Sequence, residues 1–303
     1  MLFRSLFYLY HPKHWLSWLM ILILRTITLL PFKAQVRLGK LFGRYGLWQL
    51  KRRRDIARIN LRLVFPDKGE TEIEELLKLH FESLGVSIFE SALAWWGSRR
   101  EIESRMQISG LEHLDRALKS GNGVILFSAH FTNVDLSGIM LALMRPIHVV
   151  YRPDNSPVLN HIIEKGRMRN LESLITQTNI REMVRVLKSG GAVEYAMDQN
   201  FGHRGGIFSN FFNIPAATNS ATSRLVKMTG ATVIPFFATR CEDGSFYKLT
   251  LQPPVEMDGK EIQNETDQLN QLIEQAVRKA PEQYLWVHQR FKDRPNGEES
   301  YYQ

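Results

Sequence analysis

Short apolar runs alternate with segments of helical period over the C-terminal two-thirds of the chain. Val124 to Phe127, Pro146 to Tyr151, Ala192 to Met197, Thr232 to Thr239 and Tyr247 to Leu251 read as strands. Between and after them, Leu136 to Met144, Asn160 to Arg169 and Asn179 to Lys188 read as helices, the last stopped by Gly190-Gly191. A clear apolar face through Leu269, Leu272, Ile273, Ala276, Val277 and Ala280 closes at Pro281. Such alternation predicts an α/β domain with a mainly parallel central sheet flanked by helices. Ahead of it, Glu70 to Trp96 predicts one or two helices whose core-facing stripe runs through Ile73, Leu76, Leu77, Phe81 and Leu84. The aromatic end of that segment, Ile88-Phe89 and Leu93 to Trp96, suggests a second contact with a membrane.

The N-terminus follows a different pattern. Trp15 to Leu30 is almost wholly apolar, interrupted by Arg25, and is shorter than the roughly 20 residues that cross a bilayer. A tilted single span and an interfacial helix are both compatible with it, so residues 1–32 are read as a membrane anchor and 33–303 as the catalytic domain. Charge supports this division. The net charge of +8 would ordinarily suggest nucleic acid, yet the first 54 residues hold eleven Lys and Arg with no Asp or Glu, leaving 28 basic against 31 acidic residues in the rest. Eight of those eleven lie between Lys33 and Arg54 against two before Trp15, which, if the segment spans, puts the C-terminal body on the cytoplasmic side of the membrane. A single cysteine, Cys241, excludes an internal disulfide and a cysteine-based zinc cluster.

Candidate chemistry lies where strands end. Val124 to Phe127 leads into His130, and Asp135 follows five positions later at the start of a helix. This is a plausible general base with its orienting acid, and Thr132 to Asp135 has the form of a capping box that would fix the carboxylate near the imidazole. His288 and Asp293 repeat the spacing, so spacing alone selects neither pair. In a parallel sheet the other strand ends, Tyr151-Arg152-Pro153, Asp198-Gln199-Asn200 and Arg240, converge on the edge that carries His130. Arg152 is an anion clamp there, Arg167 and Arg169 extend the patch, and Arg204 lies in a Gly-flanked basic loop. Nothing resembles a clustered metal-ligand set, so no metal is expected.

Taken together, Arg58-x-Asn60-Leu61, Phe65-Pro66, His130-Phe131 with Asp135, Tyr151-Arg152-Pro153 with Asn155-x-Pro157, Gly166-Arg167-x-Arg169, Asp198 with Gly202, and the closing run from Ala280 to Pro295 resemble one family. It is the late acyltransferases of lipid A biosynthesis in Gram-negative inner membranes. The closing run is nearer its lauroyl-type branch than its myristoyl-type one. Members commonly carry Glu where Asp135 stands, a change that keeps the charge on a shorter side chain. The Pro-Glu-Gly-Thr motif of glycerophospholipid acyltransferases is missing, which argues against lysophosphatidate as acceptor.

The resemblance implies a glycerolphosphate-acyltransferase-like fold. It also implies transfer of a fatty acyl group from acyl carrier protein to a hydroxyl of a 3-hydroxyacyl chain on a tetra-acylated lipid A precursor, at the bacterial inner membrane with the catalytic domain facing the cytoplasm. No cofactor is implied. In that reading His130 is the general base and Asp135 its partner, with no covalent acyl-enzyme. Backbone amides after His130 or the Asn133 side chain meet the oxyanion. Arg152, Arg167 and Arg204 hold phosphates of the acceptor or acidic carrier protein, Arg169 extends that patch, and Asp198 and Gln199 line the sugar site or brace the sheet edge. Two other classes fit the residues: a membrane-anchored thioesterase or deacylase using the same His/Asp pair, and a non-catalytic lipid-binding assembly protein.

Overall fold

The computed structural model describes residues 8–202, 206–295 and 298–302. A seven-stranded sheet forms its centre, built from β1 (Met106–Ser109), β2 (Val124–Ser128), β3 (His148–Tyr151), β4 (Ser173–Thr176), β5 (Ala192–Ala196), β8 (Thr232–Arg240) and β9 (Tyr247–Leu251) in the order β1-β9-β8-β2-β5-β3-β4. All neighbours are parallel except β8 and β9. A separate hairpin, β6 (Gly206–Phe211) and β7 (Ile214–Asn219), lies outside the sheet.

The five strands expected from the apolar runs all form, and the sheet is mainly parallel as the alternation predicts. The apolar character of β2, β5 and β8 follows from burial on both faces, whereas β9 alternates buried and exposed positions. Ile125, Phe127, Val193 and Phe237 point into one core, while Val124, Leu126, Ala192, Ile234 and Phe236 point into the other. The first core is covered by α3 (Lys51–Val64), α9 (Ile180–Lys188), α10 (Ala221–Thr229), α11 (Ile262–Lys279) and the segment through Tyr284, Trp286 and Phe291. The second is covered by α2 (Phe32–Gln49), α5 (Arg99–Glu103), α6 (Leu111–Ser120), α7 (Val134–Ala142) and α8 (Pro157–Arg167). A single helix of 27 residues, α4 (Glu70–Trp96), contributes its first half to one core and its second half to the other.

That helix narrows the expectation of a second membrane contact. Phe89, Leu93, Ala94 and Trp95 are buried, and Trp96 packs under the Arg25 guanidinium, 5.3 Å from its ring centroid. The aromatic side chains of the cluster are therefore packed against the body and the N-terminal segment, while Ile88 beside them is exposed. The anchor reading also narrows. The N-terminal α1 (Trp15–Ile27) has 13 residues, about 20 Å at ~1.5 Å per residue against about 30 Å of hydrocarbon. Among the described residues no helix is long and apolar enough to cross a membrane. The single-span alternative thus has no helix to carry it there.

Candidate active site

β2, β3, β5 and β8 run in parallel, so their carboxyl ends meet at one edge. His130 follows β2, Arg152 follows β3 and Asp198 follows β5. A cleft of about 900 Å³ opens at this edge, lined by His130, Asp135, Arg152, Arg167 and Gln199 together with apolar residues from both sides of the sheet. The site therefore has the position that open α/β sheets give their ligands.

His130 is oriented by Asp198. Its Nδ1 lies 2.6 Å from Asp198 Oδ1, and its backbone N–H donates to both Asp198 oxygens at 3.1 and 3.0 Å. Only a protonated Nδ1 can bond an ionised carboxylate, so the neutral imidazole presents its lone pair at Nε2. The side chain keeps 29 % exposure toward the cleft, whereas Asp198 keeps 2 %. Burial works against a charged imidazole, but the charge and hydrogen bond of Asp198, helped by Glu194, outweigh it and raise the His130 pKa. Burial likewise opposes ionisation of Asp198, yet His130 and Arg290 bring its pKa down to about 2. The two shifts describe one coupled pair.

Asp135 does not take the role expected of it. The Arg167 Nε donates to its Oδ1 at 2.7 Å and the Trp95 indole to its Oδ2 at 3.0 Å, so both oxygens are engaged away from the imidazole. The capping box is also absent: Asn133 caps α7 without a side-chain hydrogen bond, and the Thr132 hydroxyl is turned to Ser83 and Arg240. Asp135 still stands in the first turn of α7 and lines the cleft, where it fixes Arg167. Gly166 makes this possible, since a Cβ there would meet the Trp95 Cβ at 2.5 Å; α8 lies directly on α4 and delivers the next residue to Asp135.

The remaining candidates divide. Arg152 is exposed and lines the cleft with Gln199. Arg169 does not reach it; its guanidinium donates to the Trp95 carbonyl at 2.9 Å and braces α4. Asn133 is buried, and its amide donates to the Ala238 carbonyl at 3.1 Å, which removes it as an oxyanion donor. The N–H groups of Phe131, Thr132 and Val134 are committed to Ala129, Gln283 and Phe131, so those amides are removed too. Arg204 lies outside the described residues. Arg240 turns inward to pair with Glu90 at 2.8 Å in a buried network with Ser83, Thr132 and Tyr247.

The closing run explains itself as a brace. Thr132 donates to the Gln283 carbonyl at 2.7 Å, Leu285 to the His130 carbonyl at 3.0 Å, and Phe131 bridges to Tyr284. His288 accepts from the Asn200 N–H at 3.0 Å, and Asp293 accepts from the Asn200 amide at 2.5 Å. Burial pushes the His288 imidazole down to about 4, which keeps it a neutral acceptor. The second His/Asp pair therefore holds the loop after Asp198 in place.

One residue at the site went unpredicted. Glu194 on β5 is buried, and burial raises its carboxyl pKa to about 7, with the Arg167 charge opposing. The signal was an acid inside an apolar strand, Ala192-Val-Glu-Tyr-Ala.

Residues 6–293 match the family described as bacterial lipid A biosynthesis acyltransferase. The chain belongs to that family. It is 35% identical over 293 residues to the lipid A biosynthesis palmitoleoyltransferase of Escherichia coli (strain K12), covering 96% of each chain. With the lipid A biosynthesis lauroyltransferase of the same organism it shares 34% identity over 97% of each chain, and with the lipid A biosynthesis myristoyltransferase 29% over 95% of this chain and 90% of the other. Among solved structures, the 1-acyl-sn-glycerophosphate acyltransferase PlsC of Thermotoga maritima is similar at a TM-score of 0.40 and 15% identity, over 82% of this chain and 98% of that one.

Proposed function

We propose that this member of the lipid A acyltransferase family moves a fatty acyl group from acyl carrier protein to a hydroxyl on a 3-hydroxyacyl chain of a lipid A precursor. The observation that carries the mechanism is the 2.6 Å contact between His130 Nδ1 and the buried Asp198 at the wall of a large, partly apolar cleft. His130 Nε2 takes the proton of the acceptor hydroxyl as its oxygen attacks the thioester carbonyl. The tetrahedral intermediate collapses, the carbon–sulfur bond breaks, and the imidazolium returns its proton to the departing thiolate. Asp198 holds the tautomer and stabilises the imidazolium between those steps. Arg152 and Arg167, which line the cleft together with Arg224, are the cations for an acceptor phosphate or for the acidic carrier. The exposed apolar residues of α1 lie in the interface of the inner membrane, which holds the body on the cytoplasmic face, where lipid acceptor and soluble carrier meet.

The test is a purified assay with an acyl carrier protein thioester and a tetra-acylated disaccharide phosphate. Wild type is expected to add one acyl group and His130→Ala to lose at least 10²-fold in kcat, in line with removal of a general base. Full activity in His130→Ala overturns the mechanism. Acyl release that proceeds equally without acceptor identifies a thioesterase instead.

A further inference from the structure

The β3–β5 ladder stops early. Val149 pairs with Glu194, and past that pair β5 continues to Ala196 beside β2 while β3 continues to Tyr151 beside β4. The sheet forks at its carboxyl edge, and the cleft enters the fork, so that it is lined by Val149 and Ile139 from one core and by Val150 and Leu225 from the other. Glu194 stands at the base of the fork. It is 5 % exposed, it lines the cleft, and its Oε2 has no hydrogen-bond partner. α7 makes room for it at Gly138, where a Cβ would stand 2.7 Å from that oxygen. That oxygen is itself buried against Gly138, so a ligand in the cleft meets it once the carboxyl rotates about its side-chain bond. A buried polar atom left unpaired costs about 1–3 kcal/mol, a penalty that a ligand supplying the missing partner then removes.

The surroundings restrict that ligand. On this side of the fork the walls are Ile139, Val149 and Leu171, which suit hydrocarbon. An anion would face the carboxyls of Glu194 and Asp135 together, and a cation would face Arg167, which already serves Asp135. What remains is a neutral hydrogen-bonding group on an otherwise apolar chain. We propose that Glu194 is a substrate-binding residue whose carboxyl hydrogen-bonds a non-reacting hydroxyl on an acyl chain of the acceptor, seated between α7 and α8. This rests on the reading of the acceptor as a lipid with several 3-hydroxyacyl chains: one hydroxyl is acylated at His130 and another meets Glu194. Because burial brings the carboxyl to about 7, it can donate to the hydroxyl as well as accept from it.

The experiment compares two acceptors, one bearing and one lacking the non-reacting 3-hydroxyl, with wild type, Glu194→Gln and Glu194→Leu, each checked for folding by thermal melt. Wild type is expected to favour the hydroxylated acceptor about tenfold in kcat/KM, mainly through KM. Glu194→Leu is expected to bring that ratio to within about twofold of unity, and Glu194→Gln, which keeps a hydrogen-bonding group of the same shape, to retain most of it. A ratio unchanged in Glu194→Leu, with or without an equal loss on both acceptors, overturns the proposal. A third arm uses plain and 3-hydroxylated acyl donors; discrimination that follows the donor's hydroxyl overturns the assignment to the acceptor. Equilibrium binding of 3-hydroxyacyl and plain-chain disaccharide lipids to wild type and Glu194→Leu needs no turnover. If wild type transfers no acyl group, the proposed function fails, and this binding difference then decides the Glu194 site by itself.

Discussion

At the residue scale the site turns on which carboxylate faces His130. Asp135 is five positions away in sequence but is held by Arg167 and Trp95, whereas Asp198, 68 positions away, supplies the hydrogen bond. Sequence spacing could not rank them, because β2 and β5 become neighbours only through the strand order. Asp198→Asn is expected to lower kcat by on the order of 10³ to 10⁴, since an amide can stabilise the wrong tautomer. Asp135→Asn leaves the imidazole's bond intact and should raise KM more than it lowers kcat. The pH profile separates them further. His130 works deprotonated and its pKa is raised above 6.5, so kcat/KM should climb with pH along a limb centred above 6.5. In Asp198→Asn burial acts without its counterweight, and the limb should move to lower pH; a limb that stays put would remove Asp198 from the dyad. Glu194 carries the opposite linkage for stability. Its folded pKa of about 7 exceeds the ordinary 4.5, so the folded state holds that proton more tightly, and stability falls as pH rises from 4.5 through 7. The loss is at most about 3.5 kcal/mol at ~1.4 kcal/mol per unit. Denaturant midpoints should therefore show Glu194→Gln gaining on wild type between pH 5 and pH 8, and an identical difference at both values would refute the assignment.

At the scale of elements, close approach of backbones decides the architecture around α4. Gly85 faces α2, where a Cβ would fall 1.9 Å from the Gly39 carbonyl oxygen, and Gly43 faces back, with 2.0 Å to the Phe81 carbonyl oxygen. Neither contact can relax through a side-chain rotamer, because the obstacle is backbone. Gly85→Ala is expected to cost about 1–3 kcal/mol and lower the melting temperature by several degrees, while Ala substitution at the open Gly69 tip, whose nearest neighbour is the flexible Glu72 carboxylate, should do far less. This packing was invisible in the sequence, where those glycines look like helix-weakening residues. The elements that were legible had strong local patterns: the largely apolar strands β2, β5 and β8, the alternating β9, and the amphipathic α9 and α11. The missed ones lacked that signal. β1 and β4 are four-residue edge strands only partly buried, and the β6–β7 hairpin turns at Phe212-Asn213, both at positive φ without a glycine to announce it. At the site, Arg152 and Arg167 could be placed because they follow a strand and end a helix. Arg169 and Asn133 could not be separated from them, because one turn of helix rotation decides which side chain reaches the cleft.

At the scale of the whole molecule, apolar exposure and positive charge coincide. Leu16, Leu19, Met20, Leu22 and Ile23 on α1, with Phe42, Tyr45 and Trp48 on α2, are exposed, and Arg37, Lys51, Arg52 and Arg53 are exposed in the same N-terminal stretch that lacks acids. α1 is docked on the body through Leu24 and the Arg25–Trp96 contact, so its outer face is presented as a fixed surface. A patch of this kind is stable in an interface with its side chains in the acyl region and its cations among anionic headgroups. Burial of each large side chain contributes about 1.5–3 kcal/mol when complete, and each nearby cation about 1 kcal/mol at an anionic surface. Two independent dependences follow. Vesicles containing anionic phospholipid should sediment the full chain, and neutral vesicles should do so less, with the difference shrinking as salt rises. Leu16→Ser/Leu19→Ser/Ile23→Ser should weaken binding to both vesicle types by at least tenfold while leaving the salt dependence in place, because it removes hydrocarbon contact and no charge. Binding by the triple variant that equals wild type would locate the membrane surface elsewhere. A loss of salt dependence in that variant would show that charge acts only after insertion.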